Sequence, residues 1–326
     1  MKGEILKILR ETDGYVSGQD LCDRLEVSRT AVWKVIRQLE QEGYGIDAVR
    51  NRGYRLASCP DRLTKEELDA CIRGNWAGKT VYHYEETGST NDRAKELAAA
   101  GCPHGTLVTA EEQTAGRGRR GRSWSSPSGT AVYMSLVLRP KLPPTSASMV
   151  TLVAALAVSA AVKKVTGAES RIKWPNDLVV GNKKICGILT EMSAELDCIH
   201  YVVIGIGINT GQREFPEEIS STATSLFLET GKPVNRCRLV AAVMEELEGY
   251  YESYCRAGDL SLLKEEYNRE LAGAGGEVRV LSPAGEYTGV SRGIDEEGRL
   301  LVDRADGTRE CVVSGEVSVR GLYGYV

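Results

Sequence analysis

The stretch from Glu111 to Ser126 constrains the fold more than any other, because it lies between two strand-like runs and fits neither strand nor helix. Between Gly116 and Arg122, four arginines alternate with three glycines. Glycine lets the backbone approach a ligand and take positive φ. Arginine supplies a permanent charge and a fork of donors that fits phosphate or carboxylate. Together they describe a mobile loop that closes over an anion. A solvated basic loop is the bland alternative, and the glycine alternation and the flanking Trp124 argue against it. The same glycines spell Gly116-x-Gly118-x-x-Gly121, the dinucleotide fingerprint. That motif needs a helix directly after it, since the helix N-terminus holds the pyrophosphate. Here the following residues, 122–129, have no helical period and carry Pro127 and Gly129. The pattern argues against a Rossmann unit.

At 326 residues the chain is long enough for two or three domains. Its 42% hydrophobic and 26% charged content is that of a soluble globular protein. A net charge of −4 argues against wholesale nucleic-acid coating, so any DNA contact must come from a local basic face. The nine cysteines are scattered and no two are spaced C-x-x-C, which points to reduced thiols in a cytosol. The three histidines are far apart, so no metal site is expected. The first residues lack a signal-peptide pattern. The longest apolar run, Met149 to Val162, is too short to span a bilayer and reads as a buried helix.

Residues 1–60 read as three short helices and a hairpin. Ser17 and Ser28 stand at N-cap positions. The third helix has Val32, Val35, Ile36 and Leu39 at i, i+3, i+4 and i+7. Its other face carries Ser28, Arg29, Thr30, Trp33, Lys34 and Arg37, and the hairpin tip carries Arg50 and Arg52. That is the pattern of a winged helix-turn-helix, with the third helix in the major groove and the wing on the backbone. A protein-interaction bundle is the competing reading.

Residues 65–270 read as a central domain. Thr64-Lys65-Glu66-Glu67 looks like a capping box opening its first helix. Ser89, Thr90 and Asn91 fall at a strand-to-helix junction, where they either present polar groups to a ligand or serve as N-caps. Ala131 to Arg139 is a strand with Val132, Met134, Leu136 and Leu138 in period two. Lys173 beside Trp174 offers a phosphate and ring platform. Lys184 is the last base before an apolar run, placed to reach inward, although a turn lysine taken alone is ordinarily solvated. Gly205-x-Gly207-x-Asn209 ends a buried strand, and 234–255 reads as a helix packed by Leu239, Val243, Leu247 and Tyr250.

Ser89-Thr90-Asn91, the Gly116–Ser125 loop, Lys173-Trp174-Pro175-Asn176-Asp177, Lys184-Ile185-x-Gly187-Ile188-Leu189 and Gly205-x-Gly207-x-Asn209, in this order, resemble the biotin–protein ligases. With the N-terminal module the chain resembles the bifunctional form that is also a biotin operon repressor. The resemblance implies an α+β fold whose central mixed sheet with helices is of the class II synthetase/biotin ligase type. It implies that Ser89, Thr90, Asn91 and Gln113 line the biotin pocket and that Arg117, Gly118 and Arg119 order over biotin and the adenylate. Arg122, Trp124, Lys173, Asn176, Asn209 and Arg320 would form the nucleotide side. Lys184, with Arg119, would be catalytic. The implied substrates are biotin and ATP with Mg2+. The implied partners are a biotin carboxyl carrier protein of acetyl-CoA carboxylase, operator DNA and a second copy of the chain, in the cytoplasm and without a membrane. A biotin sensor lacking ligase activity, and a lipoate-type acyl-protein ligase, are the alternatives.

Residues 273–326 read as a small β module, with strand-like runs at 277–281, 287–294, 300–303, 310–313 and 317–322. A turn at 283–285 separates the first two. The resemblance implies an SH3-like barrel there.

Overall fold

The computed structural model describes residues 1–282, 285–314, 318–321 and 325, with the side chains of 318 and 320 outside that set. It divides into two compact units, Met1–Cys71 and Ile72–Val326.

In the first unit, helices α1 (Lys2–Glu11), α2 (Gly18–Leu25) and α3 (Arg29–Gln41) precede the antiparallel hairpin β1 (Gly45–Val49) and β2 (Gly53–Ser58). The core is apolar, with Ile5, Leu6, Leu21, Val32, Ile36 and Leu39 sealed from solvent. Both expected caps form: Ser17 Oγ accepts from the Asp20 N–H at 3.0 Å and Ser28 Oγ from the Ala31 N–H at 3.2 Å. Helix α4 (Lys65–Cys71) departs from expectation. Thr64 caps it by accepting from the Glu67 N–H at 3.2 Å. The Glu67 side chain does not return to the cap; it is buried and accepts from Arg10 and Tyr44. A buried carboxylate needs such partners, and they tie α4 to the first unit instead of letting it open the second.

The second unit is built on a seven-stranded sheet in the order β3-β4-β5-β9-β8-β7-β6. Its strands are β3 (Val81–Thr87), β4 (Thr106–Gln113), β5 (Ala131–Leu138), β6 (Arg171–Lys173), β7 (Asp177–Val180), β8 (Lys183–Ala194) and β9 (Ile199–Asn209). Only β3 and β4 are parallel, joined through helix α5 (Thr90–Ala99); every other pair is antiparallel. The sheet is therefore mixed. All eight positions of β5 are buried, not the alternate ones that its period-two pattern suggests. Central strands covered on both faces read as continuous apolar runs. Helix α6 (Met149–Thr166) packs on α9 (Arg236–Ala257). The stretch Pro144–Thr166 is long and apolar enough to cross a membrane, but 78% of its 18-residue apolar segment is buried inside the protein. Along α9, Leu239, Val243 and Leu247 are inward as expected, while Tyr251 and Tyr254 are buried where Tyr250 was expected. Short helices α7 (Glu217–Ser220), α8 (Leu226–Thr230) and α10 (Lys264–Glu270) complete this part.

Residues 277–321 form a separate five-stranded antiparallel sheet, ordered β13-β12-β11-β10-β14. Its strands are β10 (Glu277–Ser282), β11 (Gly285–Ile294), β12 (Leu300–Asp303), β13 (Arg309–Val312) and β14 (Ser318–Gly321). Where an SH3-like barrel is expected, the described residues pair as these five antiparallel strands. The turn expected at 283–285 falls partly outside the described residues.

Candidate active site

The floor of the site is a chain of buried polar groups at the start of α5. Ser89 is the N-cap residue of α5, but its hydroxyl makes no capping bond. Thr90 donates to Gln113 Oε1 from its backbone N–H at 2.9 Å and from its hydroxyl at 3.1 Å. Gln113 Nε2 in turn donates to Ser126 Oγ at 3.0 Å. Asn91 Nδ2 donates to the Leu189 carbonyl at 3.3 Å and to Glu191 Oε2 at 2.7 Å. The Ser135 hydroxyl lies 2.6 Å from Asn91 Oδ1 and 2.8 Å from Thr90 Oγ1. Buried polar groups are costly without partners. This set is satisfied and fixed, so the readings of Ser89, Thr90 and Asn91 as simple caps fall away.

The arginine-rich loop folds over that floor. Its ends meet through Gly118 N–H to Arg122 O at 2.7 Å and Trp124 N–H to Gly116 O at 2.8 Å. A single 3-10 turn, Arg119–Gly121, is all the helix it contains, which confirms that the fingerprint glycines do not open a nucleotide-binding helix. Arg117 pairs with Asp92. Arg119 donates to Asn176 Oδ1 at 2.8 Å. The Trp124 indole lies across two glycines: a Cβ on Gly187 or on Gly207 would come within 2.9 Å of the ring. The indole N–H is buried and has no hydrogen-bond partner among the described residues.

Lys184 turns inward. Its Nζ stands 2.6 Å from Asp177 Oδ1 and 5.1 Å from the centre of the Trp124 ring. Asp177 Oδ2 accepts from the Tyr325 hydroxyl at 2.6 Å, and Lys173 Nζ lies 3.2 Å over the Tyr325 ring. The platform expected of Lys173 and Trp174 is thus made by Lys173 and Tyr325. Trp174 is buried, with its indole N–H donating to the Gly298 carbonyl at 3.0 Å.

Two cavities meet here. The smaller, about 60 Å³, is lined by Ser89, Thr90, Asn91, Gln113, Arg117 and Gly118. The larger, about 410 Å³, is lined by Arg122, Lys173, Asn209 and Glu214 among others. Gly118, Arg119, Trp124, Asn176 and Lys184 line both. A small polar pocket joined to a wide cationic one, with a lysine at the junction, suits two anionic reactants brought end to end.

Comparison with known proteins decides the family. The biotin/lipoate A/B protein ligase family matches residues 84–209, a helix-turn-helix domain matches 3–55, and the biotin protein ligase C-terminal domain matches 274–320. The bifunctional ligase/repressor BirA of Bacillus subtilis (strain 168) is 40% identical over 300 residues, covering 91% of each chain. That of Escherichia coli (strain K12) is 32% identical over 310 residues, covering 94% of this chain and 93% of its own. The biotin protein ligase from Aquifex aeolicus in complex with biotin and ATP is 33% identical and superimposes with a TM-score of 0.66, over 74% of this chain and 99% of its own. The chain belongs to the biotin–protein ligase family. Its helix-turn-helix module makes it a ligase of the bifunctional ligase/repressor kind.

The fold of this ligase gathers nearly all the biotin-side and nucleotide-side residues singled out in the sequence. Arg320 is the exception: its backbone pairs with Arg279 in the C-terminal sheet, and its side chain lies outside the described residues. Asn209 is buried, with Nδ2 donating to Thr224 O at 3.1 Å and Oδ1 accepting from Gln212 at 3.2 Å. Ser28, Arg29, Thr30, Trp33, Lys34, Arg37, Arg50 and Arg52 are all exposed on the first unit. Sequence reasoning missed Asp177 as the partner of Lys184, Glu191 as the partner of Asn91, and the serines at 126 and 135. Asp177 could have been found, because it ends the Lys-Trp-Pro-Asn-Asp stretch and faces Gly187 across the β7–β8 ladder. All nine cysteines are free thiols. Glu195, Cys198 and His200 bring ligand-type atoms within 4.8 Å of one another on the exposed β8–β9 hairpin.

Proposed function

We propose that this ligase joins biotin to ATP as biotinyl-5′-adenylate and passes the biotinyl group to one lysine of a biotin carboxyl carrier domain, as in acetyl-CoA carboxylase. The observation that carries this reading is the position of Lys184, held by Asp177 where the two cavities meet. Biotin occupies the smaller cavity with its ureido ring toward Ser89, Thr90, Asn91 and Gln113, and ATP occupies the larger. A carboxylate oxygen of biotin attacks the α-phosphorus and pyrophosphate leaves. The carrier amine then attacks the acyl carbon of the mixed anhydride and AMP leaves.

Both reactants are anions, so the work is positioning and charge neutralisation. Lys184 leaves Asp177 for the biotin carboxylate and the α-phosphate. Arg117, Gly118 and Arg119 close over the acyl phosphate. Arg122, Lys173, Asn176, Asn209 and Arg320 hold the nucleotide, and Trp124 packs beside the adenine. Asp177 and Glu214 are the carboxylates on the wall of the larger cavity, and they fit a Mg2+ ion that arrives with the triphosphate. Such an ion supplies further charge neutralisation there.

The proposed division of labour is DNA binding by the first unit, activation and transfer by the second unit up to residue 270, and support by 273–326. Ser28, Arg29, Thr30, Trp33, Lys34 and Arg37 read the operator, while Arg50 and Arg52 hold its backbone. Adenylate ordering the arginine loop favours a homodimer in the cytoplasm, and no membrane is involved. Purified protein mixed with biotin, Mg-ATP and a carrier domain should add the mass of one biotin to the carrier. The Lys184→Ala variant should be slower by about 10²–10³-fold. No mass gain with the wild type, despite tight biotin binding, would leave a sensor and remove the enzyme from this reading.

A further inference from the structure

Glu191, on β8 just past the pocket residue Leu189, spends its two oxygens on different turns of α5. Oε2 accepts from Asn91 Nδ2 at 2.7 Å and Oε1 pairs with Lys95 Nζ at 2.8 Å. Lys95 also pairs with Asp92 Oδ1 at 3.0 Å, and the same oxygen takes Arg117 from the arginine loop. An unbroken alternation of charge therefore runs from the loop to the pocket floor: Arg117, Asp92, Lys95, Glu191 and then the Asn91 amide.

The carboxylate of Glu191 can only accept, so it fixes which way round the Asn91 amide sits. Nδ2 must face Glu191 and the Leu189 carbonyl, leaving Oδ1 for the Ser135 hydroxyl 2.6 Å away. With its proton committed to Asn91, Ser135 has only lone pairs for the Thr90 hydroxyl 2.8 Å away, whose single proton goes either to Ser135 or to Gln113. Gln113 Oε1 accepts from the Thr90 backbone N–H at 2.9 Å, which holds that amide whichever way the hydroxyl donates. The donor and acceptor pattern of Asn91 and Ser135 is thus written from Glu191 inward. An amide that could rotate freely would offer two patterns instead of one.

We propose that Glu191, Lys95 and Asp92 form a relay that fixes the biotin-pocket floor and couples it to the arginine loop, with Glu191 as a positioning residue acting through Asn91. The inference rests on the biotin reading above and extends it to residues that touch no substrate. Each partly exposed ion pair taken alone contributes little. Their effect lies in orienting groups that do touch biotin.

The test uses the full chain, with steady-state kinetics of carrier biotinylation and calorimetric titration of biotin. Glu191→Gln should raise KM and Kd for biotin by about tenfold, the size of a lost charge-assisted hydrogen bond, with KM for ATP unchanged. Asp92→Asn should weaken biotin by about twofold. Combined with Glu191→Gln it should add nothing further, because the relay is already broken. Lys95→Met gives a second break in the middle of the chain and should behave like Asp92→Asn. An unchanged biotin Kd in Glu191→Gln would overturn the relay, and so would strictly additive losses shared equally by biotin and ATP. A wild type that neither binds biotin nor labels the carrier would instead overturn the functional reading on which the relay rests.

Discussion

The first unit and the floor of the central site use polar residues in opposite ways. In the first unit the core is apolar, and every residue proposed to touch DNA is exposed. Apart from Ser28, which also caps α3, binding and stability there belong to different side chains. In the central site Ser89, Thr90, Asn91 and Asn209 are buried and, apart from Ser89, bonded to strand and loop groups. The groups that would recognise a ligand are also the groups that hold the sheet to its helix. Substitution should therefore separate function from folding in the first region and entangle them in the second.

The largest effect expected from this contrast lies at Arg236 and Glu111, which sit 125 positions apart. Arg236 is 1% exposed and reaches both carboxylate oxygens of Glu111, at 2.8 and 3.2 Å, and the Ala131 carbonyl at 3.3 Å. Glu111 also accepts from the Gly129 N–H at 3.3 Å, so one buried pair straps both ends of the arginine loop. Breaking such a pair by removing one partner costs about 3–5 kcal/mol. Glu111→Ala should lose that much in urea unfolding and also slow biotinylation under conditions where it stays folded. A fully stable but inactive variant would break the comparison, since it would show that the central site can lose function without losing stability.

A sharper probe is Gly207→Ala. The new Cβ would stand 2.9 Å from the Trp124 indole, and on Gly205 it would stand 2.2 Å from Asn91 Oδ1. Overpacking of this kind costs about 1–3 kcal/mol. At Gly207 the indole belongs to the loop and can swing away, so the loss should fall on adenylate affinity and not on the melting temperature. At Gly205 the obstruction is the fixed Asn91 amide, and both should fall. The two alanine variants, compared by calorimetry and thermal melting, separate the loop from the floor.

Legibility in the sequence followed the same division. The helices of the first unit were readable because their cores repeat at helical spacing and their caps are serines at fixed offsets, as Ser17 and Ser28 confirm. The arginine loop was readable because its composition excludes the alternatives. What was not readable depends on register between distant strands. Nothing local says that Glu191 faces Asn91 across 100 positions, or that Arg236 reaches Glu111. Nor does Thr64-Lys65-Glu66-Glu67 reveal that Glu67 abandons its capping role for Arg10 and Tyr44. The alternation in β5 was present but uninformative, because all eight of its positions are buried.

On the exposed side of the comparison, Arg50→Ala should lower affinity for duplex DNA and reduce the slope of log K against log salt by about 0.9. Biotinylation should be unchanged. Fluorescence anisotropy across a salt series reads the slope without knowledge of the operator. An altered biotinylation rate would show that function and folding are not so separate in the first unit as its surface suggests.

The smallest effect concerns Asp92, which lies between the two regimes, half-exposed yet tied to the loop. Burial alone would raise its carboxyl, but the hydrogen bonds from Lys95 and Arg117 outweigh that and hold it below the usual 3.8. A depressed carboxylate contributes fully above its unfolded value and loses that contribution as pH falls through the folded one. The Arg117–Asp92 contact should therefore hold the loop unchanged from neutral pH down to about 5, and release it only below about 4. For an exposed pair the stability at stake is under about 1 kcal/mol. Hydrogen exchange of the amides in residues 116–124, corrected for the intrinsic pH dependence, should show extra opening below that point in the wild type. In Asp92→Asn the loop should be equally open at every pH. If the variant keeps the wild-type acid transition, a different carboxylate governs the loop, and Asp92 belongs with the passive surface charges of the first unit.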